Sequence, residues 1–214
     1  MTGAALNPRK SPRQLRARAT VETILEAAAR ILETAGPEGF NTNAVAAKAG
    51  VSVGSLYQYF PAKQALVAEL SRRNADAVLQ GLAEVAAATV GQPLEVRLRA
   101  FVRFAIAQQC ARPRLSRVLD RLEEGMALDT DERTTAPDIL AVLAPVLAAE
   151  ASRADPGAVM AIARDCLALV RALIDAALDR GPVDREALEK NTLGALLGYL
   201  GASLRPPEQA AARV

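Results

Sequence analysis

Apolar residues recur every three or four positions along most of the chain, and this spacing predicts helices rather than strands. The first clear run covers residues 20–35, with Thr20 as the expected N-cap and Gly36-Pro37 as the stop. A short second helix is expected to follow Thr42, another residue of the capping type. Further helices are predicted for residues 62–88, 94–111, 114–126, 139–153, 157–180 and 184–204, and a loop for residues 127–138. We therefore expect an all-α protein.

The segment between the second and third predicted helices has the sequence of a tight turn. Gly50 can adopt a left-handed backbone, Val51 can fill the core, and Ser52 can cap the helix that follows. That third helix is short, at about residues 53–59, and three residues are spaced so as to face inward: Val53, Leu56 and Phe60. A three-residue turn containing glycine between two short helices is the sequence form of a helix-turn-helix.

The outward positions of the third helix combine small residues with two of the chain's three tyrosines. Gly54 and Ser55 would let a partner approach the helix closely. The hydroxyls of Tyr57 and Tyr59 can donate hydrogen bonds to phosphates. Lys63 adds a positive charge at the start of the next helix, where backbone amides are also free. The alternative is that both tyrosines only pack the small domain, but the combination of features favours nucleic-acid binding.

The distribution of charge supports this interpretation more than the net charge of +2 does. Through Lys63 there are eight Arg or Lys against four Asp or Glu, whereas the remainder has eighteen against twenty. Five of the basic residues precede the first acidic residue, Glu22. Residues 1–19 are therefore expected to form a basic flexible arm, which either contacts phosphates or is a solvated tail.

Several classes of protein are disfavoured by composition. The chain has no histidine and two widely separated cysteines, so it offers no His-based triad and no metal-type spacing. We expect no enzyme, no metal and no cofactor. The absence of an apolar run in residues 1–19, and of any uncharged stretch of about eighteen residues, predicts a cytoplasmic protein. A helical adaptor that binds only protein is the alternative, and it would not be retained on duplex DNA at low salt.

The stretch from Thr20 to Leu66 closely resembles the DNA-binding domain of the TetR/AcrR family of bacterial transcriptional regulators. The matching segments are TILEAAARILETAG, TNAVAAKAGVSVGSLYQYF and PAKQALV, and the pattern A-G-V-S-x-G-x-L-Y-x-Y-F-x-x-K is long and specific. The resemblance implies a homodimeric regulator, most often a repressor. We expect a DNA-binding domain at residues 20–66, a helical ligand-binding and dimerisation domain at 67–204, and a disordered tail at 205–214.

Carried over position by position, the resemblance assigns DNA contacts to the second and third helices. Four residues would bind phosphates: Thr42, Tyr57, Tyr59 and Lys63. Four more would lie at the major-groove surface: Val53, Gly54, Ser55 and Gln58. Ser52, which is expected to cap their helix, is counted with them among the DNA-binding residues. The operator is expected to be a palindrome because the regulator would be a two-fold dimer. The identity of the effector does not carry over.

The second half of the chain offers candidate residues for a small-molecule effector. A largely hydrophobic pocket is expected among the middle helices, lined by Phe101, Phe104, Leu122, Met126, Val142, Cys166 and Val170. The alternative is that these residues are ordinary core.

The last predicted helix carries small residues at regular spacing beside leucines. We expect this stripe to form a two-fold interface together with the helix at 157–180, through Gly194, Leu197, Gly198 and Gly201. The alternative is packing against another helix of the same subunit. Arg171 and Asp175, four positions apart, are expected to form an exposed ion pair, and the alternatives are an interface pair or a ligand anchor.

Overall fold

The computed structural model describes residues 12–125, 135–149 and 155–203. Within these ranges the chain forms helices and no strand, which confirms the all-α prediction. In chain order they are α1 (Pro12–Gly39), α2 (Thr42–Ala49), α3 (Val53–Tyr59), α4 (Lys63–Ala88), α5 (Leu94–Ala111), α6 (Pro113–Gly125), α7 (Thr135–Ala148), α8 (Pro156–Asp179) and α9 (Arg185–Ser203). The predicted tail at 205–214 lies outside the described residues, as do residues 1–11 and most of the predicted loop at 127–138.

Helix α1 begins at Pro12, so the N-cap predicted at Thr20 is wrong. Thr20 lies inside the helix, where its hydroxyl donates to the carbonyl oxygen of Arg16 at 2.9 Å. Proline suits a helix start because its missing N–H would have no partner in the first turn. Residues 12–19 of the expected flexible arm are therefore helical. The predicted stop is a kink, since Gly36 has φ 64 and ψ −170 and the helix resumes after it.

The turn between α2 and α3 has the predicted chemistry. Gly50 adopts the left-handed conformation, with φ 68 and ψ 28. The side-chain oxygen of Ser52 accepts the backbone N–H of Ser55 at 3.0 Å, and α3 covers the predicted residues. The cap of α2 differs from the prediction, because the side chain of Asn41 accepts the Ala44 N–H at 2.9 Å and Thr42 is already helical.

The described residues divide into two compact units. The first contains the residues up to Arg73 together with α6 from Arg114 onward, and the second contains the rest. The boundary expected from the sequence follows residue 66, whereas the first unit extends to Arg73 and also includes α6. Helices α1, α2, α3, α4 and α6 all contribute to the first core, which includes Ile24, Ala28, Leu32, Val45, Leu56, Phe60, Leu66, Leu115 and Leu119.

An ion-pair cluster joins α1 to α4 inside the first unit. Arg73 contacts Glu22 of α1 at 2.6 Å and Glu69 of its own helix at 2.7 Å. The hydrogen bond that Arg73 donates to Glu22 is the main reason that the pKa of Arg73 is raised. The hydrogen bond from Arg72 is the main reason that the pKa of Glu69 is lowered. The side chains are half-buried or exposed, so the cluster orients the two helices more than it stabilises the fold.

The second unit has two hydrophobic cores. The larger core is built by α5, α7, α8 and α9, and includes Val102, Ile106, Ala163, Cys166, Ile174, Leu193, Leu196 and Leu200. The smaller one is built around Leu82 of α4, Phe101 of α5, and Ile139 and Val146 of α7. Burial raises the pKa of the Cys166 thiol to about 11, so this cysteine stays protonated at neutral pH.

Two buried threonines differ in whether their hydroxyls are satisfied. Thr89 is 9% exposed and its hydroxyl donates to the carbonyl oxygen of Val85 at 2.8 Å. Thr192 is fully buried, and its hydroxyl has no hydrogen-bond partner among the described residues. A buried hydroxyl without a partner costs free energy because its hydration is lost without compensation.

These two threonines give a matched test of the second unit. Thr192→Val should raise the free energy of unfolding by about 1 kcal/mol, because valine has the same shape and no unpaired hydroxyl. Thr89→Val should lower the free energy of unfolding by about 1 kcal/mol, because it breaks a formed bond. Urea unfolding followed by circular dichroism measures both changes. A destabilised Thr192→Val variant would mean that this hydroxyl has a partner in solution.

Candidate nucleic-acid interface

Helix α3 buries one side and exposes the other. Leu56 is fully buried, whereas Val53, Tyr57 and Tyr59 are 38%, 47% and 37% exposed. The expectation that Val53 faces inward is therefore wrong. Val51, two residues earlier in the turn, packs against the first core instead. Val53 is left on the outer surface together with Gln58, in agreement with the position that the family resemblance implies.

Two of the expected phosphate-binding residues meet across helices. The hydroxyl oxygens of Thr42, in α2, and Tyr57, in α3, lie 3.2 Å apart. In such a pair one hydroxyl donates its proton to the other, and the accepting hydroxyl keeps its own proton for another acceptor. A phosphate oxygen is a suitable acceptor. The pair therefore fixes two hydroxyls from different helices at one point on the surface.

This pairing depends on a residue that the sequence analysis missed. Because Asn41 caps α2, the hydroxyl of Thr42 is not used as a cap and is available to Tyr57. The signal was present in the sequence, since asparagine is among the preferred N-cap residues and directly precedes Thr42.

The first unit also carries exposed positive charges and a helix N-terminus with free amides. Lys63 is the first residue of α4 and is exposed, so its ammonium group lies near the helix N-terminus, where backbone amides have no helical partner. Lys48 is exposed in the last turn of α2. Arg16 and Arg18 are exposed on α1. These groups can attract and hold an anionic backbone.

Gly54 is exposed in the first turn of α3, and the fold itself does not require a glycine there. A Cβ added to Gly54 would meet nothing within 4 Å, and the backbone of Gly54 does not have a positive φ. Ser55 beside it is half-buried and small. The missing side chain thus leaves room for an outside partner, as expected of a helix that lies against the floor of a groove.

The residues expected to bind an effector fall into different parts of the structure. Phe101, Phe104 and Val142 belong to the smaller core of the second unit, whereas Cys166 and Val170 belong to the larger one. Leu122 packs against the core of the first unit. Met126 lies outside the described residues. The expected set is therefore not one cluster, and Phe101, Phe104 and Val142 are the members that the structure brings together.

The residues expected at the dimer interface lie mostly on an open face of α9. Gly194, Gly198 and Gly201 are exposed, and a Cβ added at any of them would meet nothing within 4 Å. Leu197 is half-buried and packs against the larger core of the second unit. None of the three glycines is therefore used for close packing against a residue that the structure describes.

The ion pair expected between Arg171 and Asp175 is wrong. Both side chains are exposed on α8, and neither makes an ion pair with a described residue. The order of the two residues supplies a reason, since a base that precedes an acid at this spacing is the weaker arrangement on a helix.

Comparison with known proteins places this helical architecture and its exposed helix-turn-helix in one class, the bacterial transcriptional regulators. Residues 24–70 match the family of bacterial regulatory proteins called the tetR family, and residues 93–200 match the tetracyclin repressor-like C-terminal domain. Together they cover most of the described chain. The chain therefore belongs to the TetR family and is a DNA-binding transcriptional regulator. No curated protein matches the chain significantly.

Solved structures of similar fold agree with this membership. A protein from Pseudomonas aeruginosa assigned as a transcriptional regulator has a TM-score of 0.75 at 21% identity, covering 92% of this chain and 95% of the other. A protein from Mesorhizobium loti, assigned to the TetR family, has a TM-score of 0.70 at 20% identity, covering 87% of this chain and 98% of the other. A TetR-family regulator from Streptomyces coelicolor has a TM-score of 0.65 at 20% identity, covering 86% of this chain and 99% of the other.

Two other findings concern the described residues. They contain no helix long and apolar enough to cross a membrane. They also contain no group of three or more His, Cys, Asp or Glu side chains that could hold a metal ion.

The hydroxyl pair gives a direct test of the phosphate contacts. Tyr57→Phe keeps the ring and removes the hydroxyl, so it should weaken binding to every duplex alike by about 1 kcal/mol. Fluorescence anisotropy with a preferred duplex and a shuffled duplex measures this change. Equal loss on both duplexes supports a phosphate role, whereas a loss confined to the preferred duplex would show that Tyr57 reads bases.

Proposed function

We propose that this regulator is a repressor that binds a palindromic operator as a homodimer and is released by a small apolar effector. The observation that carries the proposal is the outer face of α3, where exposed Val53, Gly54 and Gln58 lie beside the Thr42–Tyr57 hydroxyl pair. Such a surface can enter the major groove while phosphates on either side are held. Repression follows when the occupied site overlaps that of the transcription machinery.

Base recognition is assigned to three side chains of α3. A glutamine amide can form two hydrogen bonds with adenine in the major groove, and a valine methyl can contact the methyl of thymine. Gln58 and Val53 are exposed and face away from the core, so both can reach base edges. Ser55 is half-buried at the same surface and can pair with several bases.

The proposed dimer uses the open faces of α8 and α9. Besides the three exposed glycines of α9, four alanines of α8 are exposed: Ala161, Ala168, Ala172 and Ala176. The two helices pack against each other within the subunit, so two copies related by a two-fold axis would form a four-helix interface. Two reading helices fixed by this symmetry would require two inverted half-sites.

The effector site is assigned to the smaller core of the second unit. Phe104, Val142 and Leu143 are only partly buried there, and they pack against buried Phe101 and Leu82. Helix α4 contributes Leu82 to this core and also contributes Leu66 and Val67 to the core of the first unit. An apolar molecule that displaces α4 would therefore lower the affinity for DNA. The size of the decrease is limited by how much more tightly the molecule binds the conformer that does not bind DNA than the one that does.

The readout assignment is tested by selection of bound duplexes from a random pool. The wild-type protein should enrich a palindrome. Gln58→Ala should relax selectivity at one or two positions per half-site, each worth about 1–3 kcal/mol, because an amide that pairs with a base is lost. The two enriched motifs are compared position by position. Identical motifs would remove Gln58 from base recognition, and a non-palindromic wild-type motif would contradict the two-fold operator.

The effector assignment is tested on the selected duplex with a panel of small apolar compounds. Release of the wild-type protein by a panel member would identify an effector. Phe104→Leu removes an aromatic ring from the proposed lining without pressing on Gly81 of α4, so it should raise the concentration needed for release by at least about tenfold. DNA affinity without compound should stay unchanged, as fluorescence anisotropy would show. A variant that responds like the wild type would place the effector elsewhere.

A further inference from the structure

Two opposite charges on the outer face of α8 have no ion-pair partner among the described residues. Arg171 and Asp175 are exposed one helical turn apart, and neither forms an ion pair with any residue that the structure describes. Some charges of the second unit are paired within it: Glu189 of α9, for example, contacts Arg103 at 2.7 Å and Arg99 at 3.4 Å. Arg171 and Asp175 thus lie on an exposed face of α8 that also carries small apolar residues and the charged Arg164.

The surroundings of this pair favour contact with another helix. Ala172 lies between the two charges in sequence, and Ala168 and Ala176 lie one turn to either side of it; all three are exposed. Small side chains let a second helix approach closely, which brings charged side chains on the two helices within reach of each other. An isolated charge covered in such a contact would be costly, so the partner must supply the opposite sign at the matching position.

A second copy of this chain meets that requirement by symmetry. In a two-fold interface residue i contacts residue j of the partner, and j contacts i in return. When two copies of such a helix lie antiparallel, the base of each copy faces the acid of the other, so the two charged positions are complementary to themselves. Many other surfaces would present a like charge at one of the two positions, and like charges in close contact are strongly unfavourable.

We propose that Arg171 and Asp175 form reciprocal ion pairs across the two-fold axis, Arg171 with the second copy's Asp175 and the reverse, and that these pairs restrict dimerisation to identical chains. The inference rests on the homodimer of the proposed function and adds the residues that select the partner. The small residues of α8 and α9 supply the close contact, and the two charges supply its specificity.

The test uses two full-length charge reversals, Arg171→Asp and Asp175→Arg, in sedimentation velocity over a range of concentrations. Each variant alone places like charges opposite each other twice, so each should dimerise at least about tenfold more weakly than the wild type. Mixed in equal amounts, the two variants are complementary at both positions. The mixture should therefore recover dimers with an affinity within about threefold of the wild type.

Two further variants serve as controls. Arg114→Asp makes the same change of charge on the exposed surface of α6, in the other unit, and should leave the dimer unchanged. Gly198→Leu adds a side chain to the open face of α9, where the subunit itself has room, and should give folded monomers. Circular dichroism confirms that each variant is folded.

The outcomes distinguish the homodimer from the charge pairing. A wild-type protein that stays monomeric at every concentration would overturn the homodimer, and the charge pairing with it. The charge pairing would be overturned, with the homodimer left in place, by either of two results. The first is that the wild type is dimeric and each reversal dimerises with the same affinity. The second is that the mixture of the two reversals dimerises no more tightly than either reversal alone. Weak reversals with a restored mixture would support both.

Discussion

The burial of Leu56 is the constraint on which the DNA-reading surface depends. Helix α3 has seven residues, and a helix of this length is not stable alone in water. Leu56 is fully buried in the first core, and Phe60 anchors the end of the helix at 7% exposure. Because these two positions fix the rotation of α3 about its axis, Tyr57 and Gln58 must point outward. The reading surface is thus a consequence of core packing.

Glycines in this chain serve two different physical purposes. Gly50 is required by the fold, since the turn before α3 needs its left-handed backbone. Gly81 is also required, because the ring of Phe104 lies directly against it. Gly54 and Gly198 have open space around them and no positive φ, so neither backbone nor internal packing explains them. Both lie where a partner is proposed, DNA for the first and a second subunit for the other.

Local chemistry explains what the sequence predicts well and what it misses. The bounds of α3 are predictable because Gly50 and Ser52 act within a few residues of the turn. The start of α1 is not, because Thr20 resembles a cap but bonds the preceding turn inside a longer helix. Long-range packing is harder still. The apolar pattern of α6 predicts that Leu122 is partly buried. It does not predict which core Leu122 joins, and the structure places it against the first core and not in the cluster around Phe101.

The central claim is that this chain distinguishes its own operator from other DNA through α3. The most direct measurement compares the affinity of the full-length protein for its selected duplex with that for a shuffled duplex of equal length and composition, at one salt concentration near physiological. The account predicts a preference of at least about a thousandfold, the lower end of the range for specific regulators. Equal affinity for both duplexes would mean that the surface holds only the phosphate backbone, and would contradict the account.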